Sequence, residues 1–121
     1  MSIKVLAVDD SRTMRDMVRH ALVTAGMEVV VAEDGQHGLE VLAESNPDLI
    51  ITDINMPRMD GFGFIQAVRA GTLAPSIPIL VLTTESAPEL KEKAKHAGAT
   101  GWIVKPFDRE KLVAAIRKVT V

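Results

Sequence analysis

Short apolar runs and longer amphipathic stretches alternate along the chain. The apolar runs are rich in Val and Ile, hold few polar residues, and cover residues 3–8, 29–32, 49–51, 79–82 and 102–104. Unbroken aliphatic runs of this length are typical of strands that are covered on both faces, as in a parallel sheet. The pattern therefore predicts five largely buried strands.

Helical patterns separate these runs, and most of them have recognisable ends. In the first, apolar residues recur three and four positions apart between Met14 and Ala25. The predicted ends are Asp34, the capping box Ser86 to Glu89 and Asp108 at helix starts, and Gly26, Gly71 and Gly98 at helix ends. Strand and helix alternate five times, which predicts an α/β fold with a five-stranded, doubly wound parallel sheet and helices on both faces.

Length and composition narrow the functional classes. The chain has 121 residues, which favours one domain over residues 1–121, and it has no cysteine for a disulfide, a thiolate metal site or a cysteine nucleophile. The formal net charge of −2 gives no general reason to bind nucleic acid or an anionic membrane. No apolar run approaches the roughly 20 residues that span a bilayer, and acidic residues come too early for a signal peptide. We expect a soluble cytoplasmic protein.

Polar residues follow every predicted strand. Those after the second are Glu33 and Asp34, and a capping role explains Asp34, so the other four strands supply the candidate site residues. They are Asp9 and Asp10 after the first, Asp53 after the third, Thr83 and Thr84 after the fourth, and Lys105 after the fifth. A single Asp in such a place is more often a helix cap or a solvated loop residue, but in open parallel sheets ligands bind beyond the carboxyl ends of the strands. Converging carboxylates raise one another's pKa unless cations neutralise them. Because magnesium favours oxygen ligands, the pattern predicts a Mg²⁺ site with few protein ligands.

The same residues are suited to phosphoryl transfer. A carboxylate can act as a nucleophile and form a covalent phosphoryl intermediate, and the transfer needs positioning and charge neutralisation. Asp53 lies on the middle strand by chain order and is the predicted phosphoryl acceptor. Asp9 and Asp10 are predicted to hold the metal, and Thr83 and Lys105 to contact the transferred group.

Over its whole length the chain resembles the receiver domain of two-component response regulators, and most closely the stand-alone chemotaxis regulators. The resemblance is carried by Asp9-Asp10, residues 51–57 around Asp53, Met59-Asp60-Gly61, Thr83 and Lys105-Pro106-Phe107. It implies strand order 2-1-3-4-5 and phosphorylation of Asp53. It also implies a Mg²⁺ ion held by Asp10, Asp53 and the backbone carbonyl of Asn55, with Asp9 binding through water.

The resemblance implies further roles. Thr83 and Lys105 match the hydroxyl and the lysine that contact the phosphoryl group in the family. The Lys105–Pro106 peptide matches a cis bond, a geometry that is available at low cost only before proline. Trp102 occupies the position of a switch aromatic that is usually Tyr or Phe, and Thr84 replaces a residue that is often smaller.

The chain ends after the fifth predicted helix, so we expect no output domain and a signal that a docking partner reads. The resemblance implies a chemotaxis-type histidine kinase as phosphodonor, the flagellar motor switch protein as output, and a monomer. A phosphorelay receiver and a phosphate-sink receiver stay open. Lys91, Lys93 and Lys95 fit either a solvated helix face or a surface for the partner.

A phosphatase of the haloacid-dehalogenase type is the alternative from another class, because such enzymes also combine Asp, Thr or Ser, Lys and magnesium. They need a second Asp two residues after the nucleophile, where this chain has Asn55, which cannot transfer protons. We therefore expect no enzymatic activity beyond self-phosphorylation from a phosphodonor and self-dephosphorylation.

Two expectations concern packing and backbone. Met14, Met17 and Met27 are expected to fill the core. Gly61 is expected to permit a sharp turn.

Overall fold

The computed structural model describes residues 2–120. Within them strands and helices alternate in the predicted order: β1 (Lys4–Val8), α1 (Arg12–Thr24), β2 (Glu28–Ala32), α2 (Gly35–Ser45), β3 (Leu49–Thr52), α3 (Gly61–Ala70), β4 (Ile79–Thr83), α4 (Pro88–Ala97), β5 (Gly101–Val104) and α5 (Arg109–Val119). Each strand lies within one residue of its apolar run. None of the helices between residues 2 and 120 has the length and apolar character needed to cross a membrane.

The five strands are parallel and lie in the order β2-β1-β3-β4-β5. This confirms the predicted doubly wound α/β fold. The chain direction across the sheet reverses at β1, so β1 and β3 are neighbours although a strand and two helices separate them in sequence. Val8 is the register partner of Thr52, and the N–H of Asp53 donates to the carbonyl of Val8 at 3.0 Å. The residues that follow β1 and β3 are thus placed side by side.

Aliphatic side chains cover both faces of the sheet. On β1, Leu6 and Val8 pack into a cluster with side chains of α2, α3 and α4, whereas Val5 and Ala7 pack into a second cluster with α1 and α5. The central strands β1, β3 and β4 are almost fully buried, while the edge strands β2 and β5 are only half-buried. Burial on both faces explains why the central runs carry so few polar residues.

Four helices begin with a side-chain cap, and α4 does not. Caps at the starts of α1, α2, α3 and α5 are provided by Ser11, Asp34, Asp60 and Asp108. The predicted capping box from Ser86 to Glu89 is wrong. The helix begins one residue later, with Ala87 as its N-cap and no side-chain hydrogen bond there. Pro88 holds the first helical position, where its missing N–H leaves one donor fewer to satisfy.

Two packing predictions also need correction. Met27 is buried as predicted, but Met17 is 48% exposed because it lies on the outer side of α1. Gly61 does not supply a turn with positive φ. A Cβ atom at this position would overlap the backbone carbonyl of Asp53, so glycine allows α3 to begin in direct contact with the end of β3.

Candidate functional site

Three carboxylates meet at the carboxyl ends of β1 and β3. Oxygen atoms of Asp9, Asp10 and Asp53 lie within 4.8 Å of one another. Asp9 and Asp53 are buried, whereas Asp10 is exposed. The arrangement follows from the sheet, because parallel neighbours deliver the residues after their last paired positions to the same edge. The cluster is therefore open to solvent on the side of Asp10.

The ammonium group of Lys105 enters this cluster from the end of β5. Its Nζ atom donates to Asp9 Oδ2 and to Asp53 Oδ2, both at 2.8 Å, and its side chain is only 8% exposed. The Lys105 backbone N–H donates to the carbonyl of Thr83 at 2.8 Å, and the following bond to Pro106 is cis. One ammonium against three carboxylates leaves a local excess of negative charge.

Burial and ion pairing act in opposite directions on the pKa values here. Burial raises the pKa of the Asp9 carboxyl above its ordinary value, and hydrogen bonds from Lys105 and Ser11 offset only part of this effect. Burial alone would lower the pKa of Lys105, but its hydrogen bonds to Asp53 and Asp9 outweigh burial and raise it. Lys105 therefore stays charged at neutral pH, and the ionised form of Asp9 is held at a cost that a further cation would reduce.

Backbone groups fix the orientation of both buried carboxylates. Asp53 Oδ1 accepts a hydrogen bond from the N–H of the next residue at 2.6 Å, and Asp9 Oδ1 accepts from the N–H of Ser11 at 2.9 Å. Their Oδ2 atoms are left to face Lys105. The guanidinium of Arg15, for which the sequence indicated no role, donates to the backbone carbonyl of Asp9 at 2.7 Å. The cluster is thus ordered by neighbouring N–H groups before any ligand binds.

Glu85 connects three other predicted site residues. Thr83 is fully buried at the end of β4, and its hydroxyl oxygen accepts from the N–H of Glu85 at 3.3 Å. The indole N–H of Trp102 donates to the backbone carbonyl of Glu85 at 3.1 Å, and the side-chain amide of Asn55 donates to Glu85 Oε1 at 3.1 Å. Nothing in the sequence showed that the backbone of Glu85 holds the tryptophan.

The half-buried Trp102 borders a surface cleft between α4 and β5. The cleft has a volume of about 270 Å³ and is lined by Lys91, Glu92, Ala94, Lys95, Ala99, Thr100, Gly101 and Trp102. The predicted residues therefore form two connected groups. Asp9, Asp10, Asp53 and Lys105 form the acidic cluster, and Thr83, Asn55 and Trp102 are joined through Glu85.

A contact that sequence reasoning missed lies beside the site. Asp34 is the predicted cap of α2, and it also accepts two hydrogen bonds from the guanidinium of Arg58, at 2.8 and 3.1 Å. The two residues are 24 positions apart, and Arg58 lies in a loop of irregular backbone. No periodicity or motif connects them.

The donor set fits a hard divalent cation. Carboxylate oxygens of three residues converge, and one carboxylate is accessible to water; within residues 2–120 the ammonium that opposes them is that of Lys105. Magnesium takes oxygen ligands and keeps several waters, so a site with few protein ligands and an open side suits it. The residues present are therefore chemically suited to Mg²⁺.

Comparison with known proteins agrees with this geometry. Residues 5–117 match the family model of the response regulator receiver domain. The chain is 40% identical over 118 residues to the probable chemotaxis protein CheY of Rhizobium etli, and the match covers 97% of this chain and 92% of that protein. It is 38% identical over 117 residues to the response regulator MprA of Mycobacterium tuberculosis, but it spans only 50% of that protein.

Solved structures give the same result. The chemotaxis protein CheY4 of Vibrio cholerae superposes with a TM-score of 0.93 and 49% identity, covering 98% of this chain and 99% of that one. A putative response regulator from Chloroflexus aurantiacus superposes with a TM-score of 0.94 and 32% identity, covering 99% and 98%. With its five parallel strands, its acidic cluster and a match from residue 5 to residue 117, the chain belongs to the family of response regulator receiver domains.

Proposed function

We propose that this receiver domain accepts a phosphoryl group from a histidine kinase on Asp53 and that phosphorylation changes its binding to a partner. One observation carries the proposal. Asp53 directly follows the middle strand β3, with its Oδ2 atom 2.8 Å from Lys105 and its carboxylate against those of Asp9 and Asp10. The strand order places this acceptor between the acids that follow β1 and the groups that follow β4 and β5.

The chain's own residues account for most of the transfer. The Oδ2 atom of Asp53 attacks phosphorus, the bond from phosphorus to the donor's imidazole nitrogen breaks, and that nitrogen keeps the electron pair. Lys105 stays protonated and moves its ammonium from the carboxylate to a phosphoryl oxygen. Asp10, Asp53 and the backbone carbonyl of Asn55 would hold Mg²⁺, with Asp9 binding through water. When bound, the ion neutralises negative charge between acceptor and donor.

The contacts of Glu85 support a route from Asp53 to the surface. Thr83 is the last residue of β4, the strand beside β3, and its hydroxyl can donate to a phosphoryl oxygen on Asp53. Turning the hydroxyl in that direction weakens its bond to the N–H of Glu85, whose carbonyl holds Trp102. The indole and the cleft beside it then change position.

The hydroxyl of Thr83 cannot drive the switch alone. A hydrogen bond to a charged group contributes about 1.5–3 kcal/mol. Moving a two-state equilibrium from 1:99 to 99:1 takes about 5.5 kcal/mol. The remaining free energy of switching must therefore come from interactions of Lys105, the metal and the partner.

Chemotaxis is the proposed pathway and the flagellar motor switch protein is the proposed output, with the receiver acting in the cytoplasm. The proposal is supported by two relatives named as chemotaxis proteins, of which the match covers 92% and 99%. The cleft beside Trp102 is bordered by Lys91 and Lys95 against one acid, Glu92, and this excess of positive charge suits an acidic partner segment. The side-chain amide of Asn55 donates to Glu85 and cannot act as a general acid or base, which disfavours a phosphatase.

The phosphorylation step is tested with acetyl phosphate and Mg²⁺, followed by intact-mass measurement. The wild-type protein should gain one phosphoryl group, whereas Asp53→Asn and the EDTA-treated protein should gain none. Asp16→Asn, which changes an exposed carboxylate on α1, is the matched control and should be phosphorylated normally. An adduct on Asp53→Asn, or repeated turnover of phosphate esters, would contradict the proposal.

The output is tested separately by binding to the motor switch protein of the same source. Affinity should rise on phosphorylation of the wild-type protein, and acetyl phosphate should have no effect on Asp53→Asn. Equal affinity of the phosphorylated and unphosphorylated forms would refute the motor switch as output and leave the phosphorylation step intact.

A further inference from the structure

The loop between β3 and α3 is tied to the start of α2 by the ion pair of Arg58 and Asp34. We propose that this pair, the Arg58–Asp34 clamp, positions the loop after the acceptor and thereby sets the affinity of the acidic cluster for Mg²⁺. Arg58 is then a positioning residue that acts through the loop and does not touch the metal. The inference rests on the proposed function, because it assigns a regulator of affinity to the same site.

The clamp joins the loop to α2 through two hydrogen bonds. Arg58 Nε donates to Asp34 Oδ2 at 2.8 Å, and Arg58 Nη2 donates to Asp34 Oδ1 at 3.1 Å. Asp34 is only 3% exposed and is fixed in turn because it caps α2, accepting from the N–H of His37 at 2.9 Å. The N–H of Gly35 donates to the carbonyl of Met59 at 3.1 Å. Two successive loop residues are thus held by the first turn of α2.

Electrostatics keeps the clamp charged at neutral pH. The hydrogen bond from Arg58 lowers the pKa of the Asp34 carboxyl, and this effect outweighs burial, which acts in the opposite direction. A paired guanidinium fork also fixes direction, since its two N–H groups must both meet the carboxylate oxygens.

The backbone of Arg58 adopts a conformation that arginine disfavours. Its φ angle is +64°, in the left-handed region that Gly and Asn occupy more readily than Arg. Gly or Asn would form the same loop with less strain, but neither could reach Asp34 with a fork. Strained residues of this kind concentrate at functional sites, where surrounding contacts hold them in place.

The clamp acts on the loop segment between Asp53 and Arg58, which contains Asn55. Asp53 is fixed at one end because its N–H donates to Val8, and the clamp fixes Arg58 at the other. Between them, the side chain of Asn55 bonds to Glu85, and no hydrogen bond from residues 2–120 ends on the Asn55 backbone carbonyl. The N–H of Gly61 holds the carbonyl of Ile54 at 2.8 Å on one side of Asn55, and the clamp supplies the anchor on the other side. Without the clamp, the carbonyl of Asn55 must be ordered when the metal binds. Loss of groups that orient metal ligands typically weakens metal binding by about 10- to 100-fold.

Simple charge effects predict the opposite sign for one of the variants. Removing the positive charge of Arg58 would strengthen Mg²⁺ binding if Arg58 acted only through its electrostatic field. Loss of positioning weakens binding instead. The direction of the change therefore separates the two explanations.

The test is isothermal titration of metal-free protein with Mg²⁺, without phosphodonor. Arg58→Asn suits the left-handed backbone but cannot form the fork, and Asp34→Asn keeps an oxygen to cap α2. Each should weaken Mg²⁺ binding about tenfold, and the double variant should be no weaker than either single one, because both remove the same contact. Arg58→Lys keeps the charge without the fork and should fall between wild type and Arg58→Asn. Arg19→Gln, on the exposed face of α1, is the control and should match wild type.

The outcomes distinguish this inference from the proposed function. Unchanged or tighter Mg²⁺ binding by Arg58→Asn, with normal binding by the wild type, overturns the clamp and leaves the function standing. The wild type should bind Mg²⁺, and Asp10→Asn should abolish that binding. Failure of this result overturns both the clamp and the proposed function. Thermal unfolding without Mg²⁺ shows that each variant is folded, and Arg58→Lys carries the test if Arg58→Asn does not fold.

Discussion

Replacing Lys105 with methionine removes the ammonium group that lies between Asp9 and Asp53 and keeps an unbranched side chain. The ammonium makes two hydrogen bonds of 2.8 Å, and the three side chains are 8%, 8% and 12% exposed. Hydrogen bonds to charged groups contribute about 1.5–3 kcal/mol each, and the relieved cost of burying the ammonium offsets part of this sum. Breaking a buried ion pair costs about 3–5 kcal/mol of stability. Because the cluster is open to solvent on one side, we expect Lys105→Met to lose about 3 kcal/mol, the lower end of that range.

The loss should be visible in Tm. A change of 1 kcal/mol shifts Tm by roughly 4 °C in a domain of this size, so Lys105→Met should melt about 12 °C below wild type in EDTA. The pKa of Lys105 is raised in the folded state, so its contribution is complete at neutral pH and is lost only as pH rises through that raised value. The difference between the two proteins should therefore be constant near neutral pH and shrink in strong alkali.

The assay is thermal and urea unfolding of wild type and Lys105→Met, with EDTA and then with Mg²⁺. Lys111→Met, an exposed lysine on α5, is the matched control and should stay within about 0.5 kcal/mol of wild type. Mg²⁺ should restore much of the lost stability, because a divalent cation neutralises the same carboxylates. Equal melting of Lys105→Met and the control in EDTA would refute the reasoning.

Three further predictions follow from the same region. Asp9→Asn should raise Tm in EDTA, because the raised pKa of Asp9 means that its ionised form opposes folding as pH rises through that value; a lower Tm in EDTA would contradict this. Calorimetry should show that Mg²⁺ stabilises the variant less than the wild type, because Asp9 is proposed to hold the ion through water. Gly61→Ala should lose about 2 kcal/mol in urea unfolding, because its Cβ meets the Asp53 carbonyl, and wild-type stability would exclude that contact. Asp34→Asn should be less stable than wild type at neutral pH. The difference in stability should vanish as pH falls below 3.8 and through the pKa of Asp34, which Arg58 lowers, and unfolding curves with a difference independent of pH would be inconsistent with the ion pair.

Much of the fold could be predicted because its elements are marked locally. The apolar runs are short, dense and bounded by polar residues, and Asp34 and Asp108 cap helices as their positions suggest. The convergence of Asp9 and Asp53 could be predicted because parallel strands bring their carboxyl ends to one edge. The strand order itself came from the family resemblance and not from the pattern.

The remaining features depend on contacts that residue types do not encode. Glu85 holds Trp102 through a backbone carbonyl, which every residue has, so its identity gave no signal. Arg58 adopts a left-handed backbone that is uncommon for arginine, and its partner is 24 positions away. Residues Ser86 to Glu89 match the capping-box pattern, but α4 begins at Pro88, one residue later than that pattern predicts.

Borohydride trapping of the phosphorylated protein tests the central claim most directly. Reduction cleaves an aspartyl phosphate and leaves homoserine, which peptide mass mapping locates to a single position. After reaction with acetyl phosphate and Mg²⁺, the account predicts that homoserine appears at position 53 alone. Homoserine at position 9 or 10, or none in a protein that has gained the mass of a phosphoryl group, would contradict it.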